Sequence, residues 1–78
     1  MTKSGLLIRK KRQLKSLTLS QLSDLTGFSP QHISNIERGC ALPTKNMIGP
    51  MTKALKINKK RFLDKIMEDI RNKFYGNI

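Results

Sequence analysis

The sequence predicts an all-α chain of five helices in a single domain over residues 1–78, and three observations carry that reading. Apolar residues recur at three- and four-residue steps, and no stretch alternates with the two-residue period of a strand. Helix-capping side chains precede those stretches, at Thr18, Ser29, Thr44 and Asn58. With 78 residues, 37% of them hydrophobic, the chain can build one small core and no second one.

The first helix is expected from about Gly5 to Ser16, with Leu7, Ile8 and Leu14 as its buried stripe and Arg9, Lys10, Lys11 and Arg12 on its other faces. The second runs over about 19–26. Thr18 precedes it and Gln21 follows three residues later, the spacing of a capping box, in which hydroxyl and amide each take one backbone N–H. Leucines at 19, 22 and 25 supply its apolar residues, and Ser23 is small where a neighbouring helix must come close. Gly27 suits the positive φ of a tight left-handed turn. Phe28 packs, and Ser29 with Pro30 restarts the chain as N-cap and first-turn proline of a third helix over about 30–38. Ile33 and Ile36 point inward there, and Gly39 ends it.

A loop follows, with Thr44 as cap for a fourth helix. Gly49 and Pro50 interrupt that helix, so it either starts late, near Met47, or is distorted at its N-terminal end. Met51 and Leu55 are its core residues and Ile57 packs just after it. Asn58 caps the last helix, expected over 58–75, in which Phe62, Leu63, Ile66, Met67, Ile70 and Phe74 form an apolar stripe. Phe62, Leu63 and Ile66 are enough to close a small core. Ile70 and Phe74 are expected to overhang it, and apolar surface of that kind marks an interface, here one between two copies, the other reading being a frayed tail that folds back on its own domain.

Charge narrows the function. Sixteen Lys and Arg against five Asp and Glu leave a formal charge of +11, which calls for a negatively charged partner, nucleic acid being the commonest. No apolar run is long enough to span a membrane, and Lys3 is followed by no secretory leader pattern. A single cysteine, Cys40, cannot form an internal disulfide and suits a reducing, cytoplasmic setting. One Cys and one His make no metal set. A Cys40–His32 pair lacks a third group to orient it, and no glycine-rich phosphate loop is present, so neither enzyme activity nor a cofactor is expected.

The segment Leu17 to Gly39, LTLSQLSDLTGFSPQHISNIERG, resembles the helix-turn-helix of the phage repressor and Cro family. The likeness includes the closing Ser-x-x-x-Ile-Ser-x-Ile-Glu-x-Gly pattern at Ser29 to Gly39 and extends over roughly residues 6 to 63. It implies a five-helix repressor-like DNA-binding domain, with the helix-turn-helix at 18–39 and a fifth helix longer than usual for the family. By the same resemblance Pro30, Gln31, Ser34 and Asn35 face base edges in the major groove. Gln and Asn pair with the N6/N7 edge of adenine, so A·T pairs are expected at the directly read positions. Pro30 stands where many relatives have a polar residue and offers van der Waals contact alone. Between Lys15 and Arg38 the ionisable groups are Asp24, His32 and Glu37, so phosphate contacts must come from elsewhere. The candidates are Thr18, Ser20 and Ser29 at helix N-termini, with Arg38, Lys45 and Asn46 around the following loop. His32, Lys59, Lys60 and Arg61 are weaker ones, and Leu19 replaces a glutamine that often touches the backbone in relatives. Lys11 occupies a slot often apolar in the family and is read as a snorkelling edge residue. Arg12 and Glu37 resemble a salt bridge that ties the first helix to the recognition helix.

The resemblance therefore implies a sequence-specific transcriptional regulator, most like a repressor of a phage or mobile element. It would bind an inverted-repeat operator in double-stranded DNA as a homodimer, at least on the DNA, and be switched by its own concentration, an antirepressor or another partner protein. The alternative of a different class is an antitoxin or adaptor that holds another protein through the last helix and autoregulates through DNA. A basic nucleic-acid-binding protein without sequence preference is the third.

Overall fold

The computed structural model describes residues 2–75, with side chains described through Asn72. Its elements are α1 (Lys3–Leu14), α2 (Leu19–Thr26), α3 (Pro30–Glu37), α4 (Lys45–Leu55) and α5 (Lys59–Tyr75). The α2–α3 pair rests on a base of α1 and α4, and α5 closes that base by packing against both. Leu7, Ile8, Leu22, Ile33, Ile36, Met47, Met51, Leu55, Ile57, Phe62 and Ile66 form one buried cluster at the centre. No described helix is long and apolar enough to cross a membrane.

Local chemistry explains the ends of α2 and α3. Thr18 Oγ1 accepts from Gln21 N at 3.0 Å while Gln21 Oε1 accepts from Thr18 N at 2.8 Å, so the capping box is complete. Gly27 closes α2 at φ 83°, a conformation that would strain any residue carrying a Cβ. Ser29 Oγ accepts from His32 N at 3.1 Å, and Pro30 fills the first helical position, where no N–H is needed. At the far end Gly39 N donates to Ile36 O and Cys40 N to Asn35 O, the paired bonds of a Schellman ending. That motif stops α3 at Glu37, one residue short of the expected end.

α1 is displaced from its predicted span at both ends. Thr2 caps it, its Oγ1 accepting from Gly5 N at 3.0 Å. The Asp69 carboxylate, arriving from α5, accepts from Lys3 N at 2.7 Å, from Ser4 N at 2.9 Å and from the Ser4 hydroxyl. These bonds satisfy N–H groups that a helix start otherwise leaves open, and helix begins two residues before Gly5. The last turn folds over at Ser16, which takes a left-handed φ of 55°, so the helix also stops short of Ser16.

The line along α1 that faces the protein runs through buried Ser4 and Ile8 to half-buried Arg12 at four-residue steps, with Leu7 beside it. Leu14, expected on that stripe, is rotated about 200° from Arg12 and is 71% exposed. The leucines of α2 divide for a similar reason. Leu22 is buried and Leu19 half-buried, but steady three-residue spacing drifts around a 3.6-residue helix and leaves Leu25 exposed.

α4 begins at Lys45, not Met47, and carries Pro50 inside it. Proline there removes the donor that would reach the carbonyl of Asn46, and Asn46 is exposed, where water can serve that oxygen. Thr44 takes the extended cap conformation, but its side chain makes no capping bond, which corrects the role expected of its hydroxyl. Met47, Met51 and Leu55 hold α4 on the core at four-residue steps.

α5 is capped as expected, Asn58 Oδ1 accepting from Arg61 N at 3.0 Å. Phe62 and Ile66 are buried, whereas Leu63 and Met67 are on the solvent side, against the expectation that Leu63 closes the core. Ile70 does not overhang. The adjoining Asp69 is drawn onto the start of α1, and Ile70 is carried with it into half-buried contact with the protein's own core. The corresponding expectation for Phe74 falls on a side chain outside those described.

Candidate nucleic-acid interface

α3 is divided by its own periodicity into an anchored and a free face. Ile33, Ile36 and Glu37 are buried, while Pro30 and Gln31 are exposed and Ser34 and Asn35 half-exposed. The four expected base-reading side chains thus lie on the side of α3 turned away from the core. The Gly27 turn and the Ser29 cap fix where that ridge starts.

The side chains of the ridge are hydrogen-bonded to one another. Gln31 Nε2 donates to Asn35 Oδ1 at 3.0 Å, and Arg38 Nη2 donates to the same oxygen at 2.9 Å. These are the one-turn spacings at which helical side chains meet. Arg38, expected among the phosphate contacts, is therefore directed along the ridge. His32 is tied down too, its ring meeting Phe28 edge-on at 5.9 Å between centroids, and Phe28 packs on the core.

Candidates for phosphate contact stand at helix beginnings. Thr18 and Ser29 spend acceptor capacity on their caps and keep their hydroxyl protons for a ligand, and Ser20 is exposed in the first turn of α2. Lys45 and Asn46 are exposed in the first turn of α4. Free N–H groups and the positive end of the peptide dipoles make such termini suitable for anions. Lys59, Lys60 and Arg61 are likewise exposed at the start of α5.

Arg12 holds this arrangement to the rest of the fold. Its Nε lies 2.7 Å from Glu37 Oε2 and its Nη2 3.0 Å from Oε1, while Nη1 donates to the carbonyl of Leu17 at 2.8 Å. One guanidinium thus grips the last residue of α3 and the residue before the α2 cap. The bond to Glu37 holds the Arg12 pKa above its ordinary value, against the opposing effect of burial.

Two positioning residues were missed in the sequence. Gly5 passes so close to the end of α3 that a Cβ would collide with the carbonyl oxygen of Ile36. Asp69 ties the end of α5 to the start of α1. The signal for Asp69 was present: it lies three residues after Ile66, within the apolar stripe of α5, where an acid must have partners to be tolerated. Nothing local marked Gly5.

The helix-turn-helix family model matches residues 8–61, about two thirds of the chain, from within α1 to the first turn of α5. Two uncharacterised HTH-type transcriptional regulators of Mycobacterium tuberculosis are similar, one from strain CDC 1551 / Oshkosh and one from strain ATCC 25618 / H37Rv. Each is 30% identical over 54 residues, which is 69% of this chain and 39% of the relative. The chain therefore matches well under two thirds of the length of these relatives.

Proposed function

Because the chain belongs to the helix-turn-helix family, we propose that it is a sequence-specific DNA-binding regulator of transcription, acting as a repressor of the phage or mobile-element kind. The observation that carries this reading is the outward ridge of α3. Pro30, Gln31, Ser34 and Asn35 form an uncharged strip that projects from the core, on a chain whose formal charge is +11. Phosphate attraction from the surrounding cations supplies affinity for any DNA, and the amide-bearing strip supplies discrimination between base edges. Thr18, Ser20, Ser29, Lys45 and Asn46 hold the sugar-phosphate chain. Arg12 and Glu37 keep α3 at the angle that lets the strip enter the major groove.

One such helix reads a few base pairs, so two copies act together on an inverted repeat, with half-sites about one turn, roughly 10–10.5 bp, apart. Leu63 and Met67, four residues apart on the solvent side of α5, provide apolar surface for the second copy. Ile70, engaged with its own core, contributes less than its sequence position suggested.

Footprinting over the DNA flanking the gene locates the operator, and competition with random DNA measures specificity. Replacing Gln31 by Ala should reduce operator affinity by about 1–3 kcal/mol and leave random-DNA affinity unchanged. Equal affinity for operator and random DNA in the parent protein would instead identify a non-specific basic binder.

A further inference from the structure

Asn35 is held so that one half of its amide is already spent. Arginine carries only donors, so the Asn35 atom facing Arg38 Nη2 at 2.9 Å must be the oxygen. That oxygen also accepts from Gln31 Nε2 at 3.0 Å, which occupies both of its lone pairs. Toward a base, Asn35 therefore presents its NH2 group alone.

Adenine is read in the major groove by a side chain that accepts from N6 while donating to N7. Asn35 in this state cannot do the first. Guanine presents two acceptors there, O6 and N7, and matches a surface made only of donors. The remaining N–H groups of Arg38, exposed just past the end of α3, extend that donor surface. Gln31 keeps its own amide oxygen and one N–H, so the N-terminal half of the ridge still suits adenine.

We propose that Arg38 is a specificity-determining residue that acts through Asn35, turning the base pair read at the C-terminal half of the ridge from adenine to guanine. The proposal rests on α3 being the base-reading helix. It gives Arg38 a different task from the phosphate contact its charge alone would suggest.

The test is selection from an operator library with one half-site randomised, carried out on the parent protein, Arg38→Met, Arg38→Lys and the double variant Arg38→Met with Asn35→Ala. Arg38→Met keeps an apolar stem at an exposed position, and a melting curve matching the parent confirms that the fold is intact. The parent should select guanine at one position of the half-site. Arg38→Met should move that single position toward adenine by about ten-fold or more, with the other positions unchanged. Asn35→Ala should remove adenine selection there in combination with Arg38→Met. Arg38→Lys, whose ammonium is also only a donor, should keep guanine. Two results would overturn the proposal while sparing the base-reading role of α3. One is a parent that already selects adenine at that position. The other is an Arg38→Met variant that weakens all sequences equally and lowers the salt slope by about 1, the mark of a lost phosphate contact. No sequence preference in the parent at any position would overturn both.

Discussion

Replacing Arg12 by alanine probes the link between stability and the geometry of α3. The change removes two bonds to Glu37, at 2.7 and 3.0 Å, and one to the Leu17 carbonyl at 2.8 Å. The pair is largely withdrawn from water, the side chains being 13% and 5% exposed. The greater loss is what remains: a Glu37 carboxylate inside the domain with no cation beside it. Breaking one side of such a pair costs about 3–5 kcal/mol, and partial access of water to Arg12 points to the lower end, about 3 kcal/mol. In a domain of this size each kcal/mol moves the melting temperature by about 4–8 °C, so a fall of about 12–24 °C is expected. Thermal denaturation followed by circular dichroism reads it directly.

The same variant, tested cold where it is still folded, should bind operator more weakly than Arg12→Lys, which keeps a charge near Glu37 but loses the fork that spans both oxygens. The double change of Arg12 to Met and Glu37 to Leu should regain most of the lost stability, because it leaves no unpaired charge. A melting temperature within about 2 °C of the parent for Arg12→Ala would refute the reasoning, since 3 kcal/mol cannot be lost without a larger shift.

Asp69→Ala should cost about 2–3 kcal/mol, because the N–H groups of Lys3 and Ser4 lose their acceptor near the core; urea titration measures it, and no change would mean that water replaces the carboxylate freely. Lys56→Gly should stabilise the domain by about 0.5–1 kcal/mol, since Lys56 is exposed and held at φ 52°, where a Cβ is strained; a loss of stability would show that unfolded-state entropy outweighs that strain. Glu68 is held below its ordinary value of 4.5, chiefly by the Lys3 ammonium 3.1 Å from its carboxylate, and its folded pKa is therefore depressed. Its contribution is present above pH 4.5 and disappears as the pH falls through the lowered folded value, so Glu68→Gln should flatten the acid side of the stability profile. An acid limb identical in parent and variant would place that proton uptake elsewhere.

The features legible in the sequence were those whose causes lie within one helical turn. Thr18 with Gln21, Gly27, and Ser29 with Pro30 act on backbone groups within four residues, so α2 has its predicted span and α3 its predicted start. The Arg12–Glu37 pair was also anticipated, through a family resemblance, since no local rule joins residues 25 apart. The tertiary structure decided which apolar residues are buried. Leu14, Leu25, Leu63 and Met67 lie in helical patterns as apolar as those of Leu7, Leu22, Phe62 and Ile66, yet the first group is exposed and the second buried. Periodicity states that a helix has an apolar side, but the angle and length over which a neighbour covers it depend on the whole packing. The tertiary structure likewise shares in deciding where α1 begins, because beside the local Thr2 cap the N–H groups of Lys3 and Ser4 are taken by the carboxylate of Asp69, 65 residues beyond Ser4. A hydrogen bond has a reach of about 3 Å, and only the folded chain brings residues so distant in sequence within it.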